Sequence, residues 1–320
     1  MWTAAALWIL TLGGAGAYVA WAVWLAAHGV APWLLILGAP VAYLVVVFAF
    51  MASYFAVAWF WRSRRPRDVQ IGIAATLRLV GNEYRALAGS ARRMMLYRWL
   101  VRDPAPAKAA LPVLLLHGVL CNAGVWLRMS RALRASGVAP VYTMSYGPPL
   151  ASIETFADQV AAKVEAILAI TGAPSLVIVS HSMGGLVALA YCRKYGAGKV
   201  RLAISLGTPY HGSVHAYLFP GACLAQLRPG NTWLDALLQA PFTRPWIVSI
   251  WSWHDSMVAP QTSSRLEGAE DIALVGVGHN ALLADPGAFS HVVATLRAAR
   301  ADTATSESPE SVARTPFARA

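Results

Sequence analysis

Leu176-Val177-Ile178-Val179-Ser180-His181-Ser182-Met183-Gly184-Gly185 is the stretch whose reading decides the fold. Four apolar residues make a short buried strand, and apolar residues at helical spacing resume at once over 183–195. Only small and polar residues separate the two, so the strand must run through a sharp turn straight into a helix. In an open parallel sheet, the groups that act on a ligand gather at the carboxyl ends of the strands. Ser182 stands at such an end.

Working outward, the same alternation of short apolar strands and amphipathic helices continues in both directions. Strands are expected at 112–116, 140–144, 176–179, 200–206, 246–251 and 272–277, and helices at 123–136, 153–170, 183–195 and 289–300. Phe156, Val160, Val164 and Ile167 give the second helix its 3.6-residue stripe. Strands alternating with helices of this length predict an α/β fold, a mostly parallel sheet with helices on both faces. Residues 210–245 interrupt the alternation. Trp233, Leu234, Leu237 and Leu238 lie there at helix-face spacing beside Leu218-Phe219, so the segment reads as a lid over an acyl site or as a cap helix packed on the sheet.

Four of the strand ends carry reactive groups. A serine hydroxyl is a weak nucleophile until a base takes its proton, and the base needs an acid to orient it. Asp255 follows the strand at 246–251 and His279 follows the strand at 272–277, in the order serine, acid, histidine. His181, His211 and His254 are less well placed, and Asp235, Asp271 and Asp285 lie away from strand ends or after the base. A tetrahedral oxyanion would need two backbone donors. The Met183 amide, at a helix N-terminus, and the Val119 amide, in the loop after the first strand, are the candidates. His117 reads as a brace for that loop.

Ser180-His181-Ser182-Met183-Gly184 resembles the nucleophile elbow G-x-S-x-G, with Ser180 in place of the first Gly. With Leu-Leu-Leu-His-Gly at 114–118, Leu-Gly-Thr-Pro-Tyr-His-Gly-Ser at 206–213, Asp255 and Val-Gly-His at 277–279, residues 111–283 resemble a bacterial lipase or esterase of the α/β-hydrolase superfamily. The resemblance implies ester hydrolysis through an acyl-serine intermediate, without an organic cofactor. No acid cluster invites a metal. Residues 1–100 have no counterpart in secreted lipases.

Those residues follow their own pattern. The chain has 320 residues, is 57% hydrophobic and carries a net charge of +11, yet no Asp, Glu, Lys or Arg occurs before Arg62. Residues 2–27 and 33–61 each exceed the ~20 apolar residues that cross a bilayer core. His28-Gly29-Val30-Ala31-Pro32 supplies a turn, and Trp2, Trp24, Trp33, Trp59 and Trp61 mark the ends. Residues 1–61 therefore read as a transmembrane hairpin. Arg62, Arg64, Arg65 and Arg67 place the following domain in the cytoplasm, at a bacterial inner membrane. Cys121, Cys192 and Cys223 lack metal-ligand spacing and fit a reducing compartment.

The entire charge excess lies in 62–134, with fourteen Lys or Arg against three acids, a net of +11. Next to a membrane span, such charge points to lipid phosphate and not to nucleic acid. The basic helix and linker over 62–109 would lie on headgroups through Ile73, Leu77, Val80, Tyr84 and Leu87, or pack on the catalytic domain. Residues 110–300 form that domain, and 301–320 read as a disordered tail. The expected function is a membrane-anchored serine hydrolase acting on a lipid or other hydrophobic ester. An acyltransferase or thioesterase using the same three residues, or an inactive scaffold, are the alternatives.

Overall fold

The computed structural model describes residues 2–239 and 246–306. Two long helices come first, α1 (Trp2–Ala27) and α2 (Pro32–Phe60), with Pro32 in the opening turn, where its missing N–H costs nothing. Both are long and apolar enough to cross a membrane, with mean hydropathies of 1.6 and 2.6, and most of their large side chains are exposed. Next come α3 (Ile73–Met95) and a single turn, α4 (Tyr97–Leu100).

The remainder is a parallel sheet wrapped by helices. In chain order it comprises β1 (Val113–Leu116), α5 (Leu127–Ala135), β2 (Val141–Thr143), α6 (Ile153–Thr171), β3 (Leu176–His181) and α7 (Gly184–Tyr195). There follow β4 (Val200–Leu206), α8 (Ala222–Gln226), α9 (Thr232–Gln239), β5 (Trp246–Ser252), β6 (Glu270–Leu274) and α10 (Pro286–Ser306). The strand order is β2-β1-β3-β4-β5-β6, parallel throughout.

The central strands read as unbroken apolar runs because both of their faces are covered. Leu114, Leu116 and Ile178 pack on one side against Phe156, Val160 and Val164 of α6 and Leu186 and Val187 of α7. Val113, Leu115, Val177, Val179, Leu202 and Ile204 face the other way, toward Met129 and Leu133 of α5 and Val292 and Leu296 of α10. Each fully buried aliphatic side chain contributes about 1.5–3 kcal/mol, so this double layer fixes where each strand ends. Ser152 caps α6 by accepting from Glu154 N at 3.2 Å.

Four expectations need correcting. The last strand begins at Glu270 and stops at Leu274, not at 272–277, because it is an exposed edge strand and opens on two acids. Residues 123–136 are not one helix; Ala123–Trp126 is a 3-10 turn in front of α5. The apolar face of α9 is not open to a ligand, since Leu234 and Leu237 are buried beside α7. Among the described residues of this segment the exposed large apolar side chains are Tyr217, Leu218 and Phe219, and 240–245 lie outside the described residues. Finally, α10 runs through Ser306, so the tail expected from 301 is helical for six more residues, and 307–320 lie outside the described residues.

Helix α3 is not laid flat by its apolar stripe. Ile73 and Leu77 are exposed, and Tyr84 Oη donates to Leu44 O of α2 at 3.2 Å. The buried face is Leu79, Glu83, Ala86, Ser90 and Met94, two of which, Ala86 and Met94, belong to the core under the sheet. Asn122 fastens this arrangement. Its Nδ2 donates to Met94 O at 3.0 Å and its Oδ1 accepts from Gly124 N at 2.9 Å, with the side chain only 2% exposed. Asn122→Ala leaves two buried backbone groups without partners, at about 1–3 kcal/mol each. Thermal unfolding in detergent should show a clearly lower Tm; an unchanged Tm would mean that α3 is held by other contacts.

Candidate active site

The elbow takes the form required by its sequence. Ser182 has φ of 56°, a left-handed conformation in which a non-glycine residue is strained, and the surroundings hold it there. Ser182 N donates to Leu206 O at 2.9 Å, and Thr208 Oγ1 donates to Ser182 O at 2.8 Å. A Cβ on Gly184 would strike the backbone of Leu116 and His117, and one on Gly185 would strike Thr208, so both positions need glycine for the close approach of α7. Ser180, which departs from the motif, fits because its hydroxyl donates to Ile204 O of β4 at 3.2 Å.

Asp255 lies just beyond β5 and His279 five residues beyond β6. His279 Nδ1 and Asp255 Oδ2 are 2.8 Å apart, and each residue is 2% exposed. Asp255 Oδ1 accepts from Met257 N at 2.8 Å and Val258 N at 2.7 Å, so its position is set by three donors. Because Nδ1 donates to the carboxylate, Nε2 of the neutral ring is left as the acceptor. Burial disfavours the imidazolium, but the charge of Asp255 and the hydrogen bond to it outweigh that, with Glu83 adding to them. His279 is therefore held above the usual 6.5.

Ser182 adjoins this pair through Leu206-Gly207, since a Cβ built on Gly207 would lie 3.1 Å from Asp255 Oδ2 and 3.3 Å from His279 Nδ1. Among the described residues the Ser182 hydroxyl and the His279 ring are not hydrogen-bonded to each other, and such contacts commonly tighten only when substrate binds. The Val119 amide lies in a turn closed by Cys121 N to Gly118 O at 3.3 Å, with Leu120 at φ 54°. Among the described residues neither the Val119 nor the Met183 amide donates a hydrogen bond.

The other histidines near the site are struts. His117 stacks on Tyr146, with ring centroids 4.0 Å apart, and bonds to its own loop at Gly118 O at 2.9 Å. His181 Nε2 donates to His279 O at 3.0 Å. His254 Nδ1 accepts from Gly276 N at 3.2 Å. Among the described residues no group of three or more His, Cys, Asp or Glu could hold a metal ion, and the three thiols are free.

One residue of the site escaped the sequence reading. Glu83 of α3 is 1% exposed, and its Oε1 accepts from Ser256 Oγ at 2.9 Å, Asn280 N at 2.9 Å and Asn280 Nδ2 at 2.8 Å. Its Oε2 accepts from Ala281 N at 2.9 Å. The available signal was modest: Glu83 is the only acid in a basic helix, on a face of small residues (Ala86, Ser90).

Burial pushes His117 down to about 4; burial, with the charge of His279, pushes His181 to about 3; and burial, with Arg65, pushes His254 to about 4. Since the unfolded chain takes up these protons first, stability should climb from pH about 4 to about 6.5. His279 has the opposite sign. Its contribution is complete below 6.5 and is lost as pH rises through the elevated folded value. A Tm series across pH 4–8 should therefore rise to about 6.5 and then level or decline; a Tm independent of pH below 6.5 contradicts the burial of three neutral histidines.

Comparison with known proteins agrees with this architecture. The model of the alpha/beta hydrolase family matches residues 113–315, well over half of the chain. Mature lipase BlEst2 of Bacillus licheniformis superposes with a TM-score of 0.52 at 17% identity, over 62% of this chain and 96% of that one. Aspergillus fumigatus lipase B gives a TM-score of 0.54 at 20% identity, over 63% of this chain and 57% of that one. At such identities the likeness is one of fold.

Proposed function

The chain belongs to the alpha/beta hydrolase family, and from that premise we propose that it is a membrane-anchored serine hydrolase that cleaves carboxylic esters of hydrophobic acyl groups. The observation that carries the reading is the buried Asp255–His279 pair beside an elbow serine at φ 56°.

Ser182 Oγ attacks the ester carbonyl carbon while His279 Nε2 takes its proton, and Asp255 keeps the imidazole in the required tautomer and orientation. The carbonyl oxygen, now an anion, is bound by the Met183 and Val119 amides. As the tetrahedral intermediate collapses, the C–O bond to the leaving group breaks and His279 returns the proton to the departing alkoxide. Water then enters, gives its proton to His279 and attacks the acyl-serine, releasing the acid and restoring Ser182.

Two features favour a substrate with a hydrophobic acyl group. Leu120 beside the oxyanion turn and Tyr217, Leu218 and Phe219 in the segment after β4 are exposed apolar residues of this domain. The apolar helices also touch the loops concerned: Thr3 Oγ1 of α1 donates to Cys121 O at 3.1 Å, and Tyr54 of α2 stacks on His215 at 5.4 Å. With α1 and α2 crossing the bilayer, Arg62, Arg64, Arg65 and Arg67 put the catalytic domain on the cytoplasmic side.

Ser182→Ala should lower kcat/KM on p-nitrophenyl butyrate by at least about 10³-fold, and replacing His279 or Asp255 should cost several orders of magnitude as well. Clean Ser182→Ala protein that turns over at the wild-type rate would overturn the triad. Since the base must be neutral, activity should rise with pH through a midpoint above 6.5. The topology has its own test: a reporter fused after Arg67 that is active only outside the cytoplasm should be silent, and activity there would reverse the orientation.

A further inference from the structure

The loop that carries His279 is held from outside the residues that match the family, which begin at Val113. Glu83 reaches in from α3 and binds donors on both sides of the catalytic pair. Ser256 adjoins Asp255, and Asn280 and Ala281 follow His279. Ser256 Oγ in turn accepts from His279 N at 3.4 Å, so one carboxylate ties the acid loop to the base loop. The seat is fitted closely, since a Cβ on Gly278 would collide with the Glu83 carboxylate.

A second tie comes from the same juxtamembrane segment. Ser63 N donates to Gln261 Oε1 at 2.9 Å, and Gln261 Nε2 donates to Asp255 O at 3.1 Å. Both halves of the Asp255–His279 pair are thus anchored to the segment between α2 and β1, Asp255 through Gln261 to Ser63 and the His279 loop to Glu83 of α3. Among the described residues Glu83 forms no ion pair with Lys, Arg or His. A buried carboxylate without a cation is costly, and here four donors from the catalytic loops offset the loss of water.

We propose that Glu83 is a positioning residue for His279, so that hydrolysis depends on how the juxtamembrane helix is seated against the catalytic loops. The proposal rests on the triad assigned above. A carboxylate suits the role better than an amide because all four contacts are donated to it, and only an acid accepts at both oxygens. Its negative charge also favours the imidazolium that forms on His279 during the reaction. The other ionisable groups bearing on His279 are Asp255, His181 and His215. Burial holds both histidines below 6.5, so they stay neutral where His279 titrates.

The test uses the full chain in detergent, with p-nitrophenyl butyrate turnover and fluorophosphonate labelling measured against pH for wild type, Glu83→Gln, Glu83→Asp and Ser182→Ala. Glu83→Gln turns one acceptor into a donor facing other donors. Its kcat should fall by about 10- to 100-fold, as a slight misplacement of a catalytic group would cause, with KM changing much less. Its acid limb should also move to lower pH, because a charge favouring imidazolium is gone. Glu83→Asp keeps the charge and shortens the reach, so its plateau should fall while its midpoint stays near that of wild type. If Glu83→Gln does not fold, this split between plateau and midpoint in Glu83→Asp carries the test. A wild-type kcat and pH profile in Glu83→Gln, or losses in both variants that track only the folded fraction, overturn the proposal. Ser182→Ala that remains active overturns the triad itself; an inactive Ser182→Ala beside a wild-type-like Glu83→Gln removes only the role of Glu83.

Discussion

The 2.8 Å contact between Asp255 and His279 joins two ionisable groups that are almost wholly shut off from water, and much of the surrounding architecture serves to make that placement tolerable. A buried carboxylate is costly unless donors replace its hydration. Asp255 finds those donors in the tight turn after β5, where the amides of Met257 and Val258 point back at it. The histidine is steadied at its backbone on two sides, through its N–H by Ser256 and through its C=O by His181. The three neutral histidines belong to the same economy. Each uses a ring nitrogen to brace a loop, and each does so uncharged in a space where a cation would be expelled.

The sheet supplies the geometry that these contacts need. Because β3, β4, β5 and β6 run parallel and adjacent, their carboxyl ends bring residues 182, 207, 255 and 279 to one edge although they are spread over nearly a hundred positions. Parallel strands must be connected by crossovers, and the helices that make them cover both faces and bury the central strands β1 and β3 completely. Strain at Ser182 is sustainable in such a frame. The residue is fixed by hydrogen bonds to Leu206 and Thr208, and α7 packs too closely on β1 and Thr208 for the turn to relax.

Most of this frame was legible in the sequence because it is written in local patterns. Strand runs and the small residues of the elbow follow from spacing and residue size, whereas the order serine, aspartate, histidine is what the resemblance to α/β-hydrolases implies. The misplaced pieces are those whose partners leave no such trace. Strand β6 carries Glu270 and Asp271 because it lies at an open edge, so an apolar run marks only part of it. Helix α3 misled through its stripe, since Val80 and Tyr84 sit beside α2 while Ile73 and Leu77 stay exposed. Glu83 was hidden for a deeper reason. Two of its four donors are backbone amides, and any residue at 280 or 281 presents the same N–H.

That last point bears on how the N-terminal third and the catalytic domain belong together. Arg78, Arg85 and Arg92 are exposed on α3, while Glu83 is turned inward to the loops that carry Asp255 and His279. The outer face of the helix carries this charge, and its inner face, through Glu83, holds the loops of the Asp255–His279 pair. Glu83 binds Ser256, Asn280 and Ala281, and Ser63, just after the end of α2, binds Gln261, which in turn binds the backbone of Asp255. The segment that follows α2 and the Asp255–His279 pair, which lie far apart in the sequence, meet at Glu83.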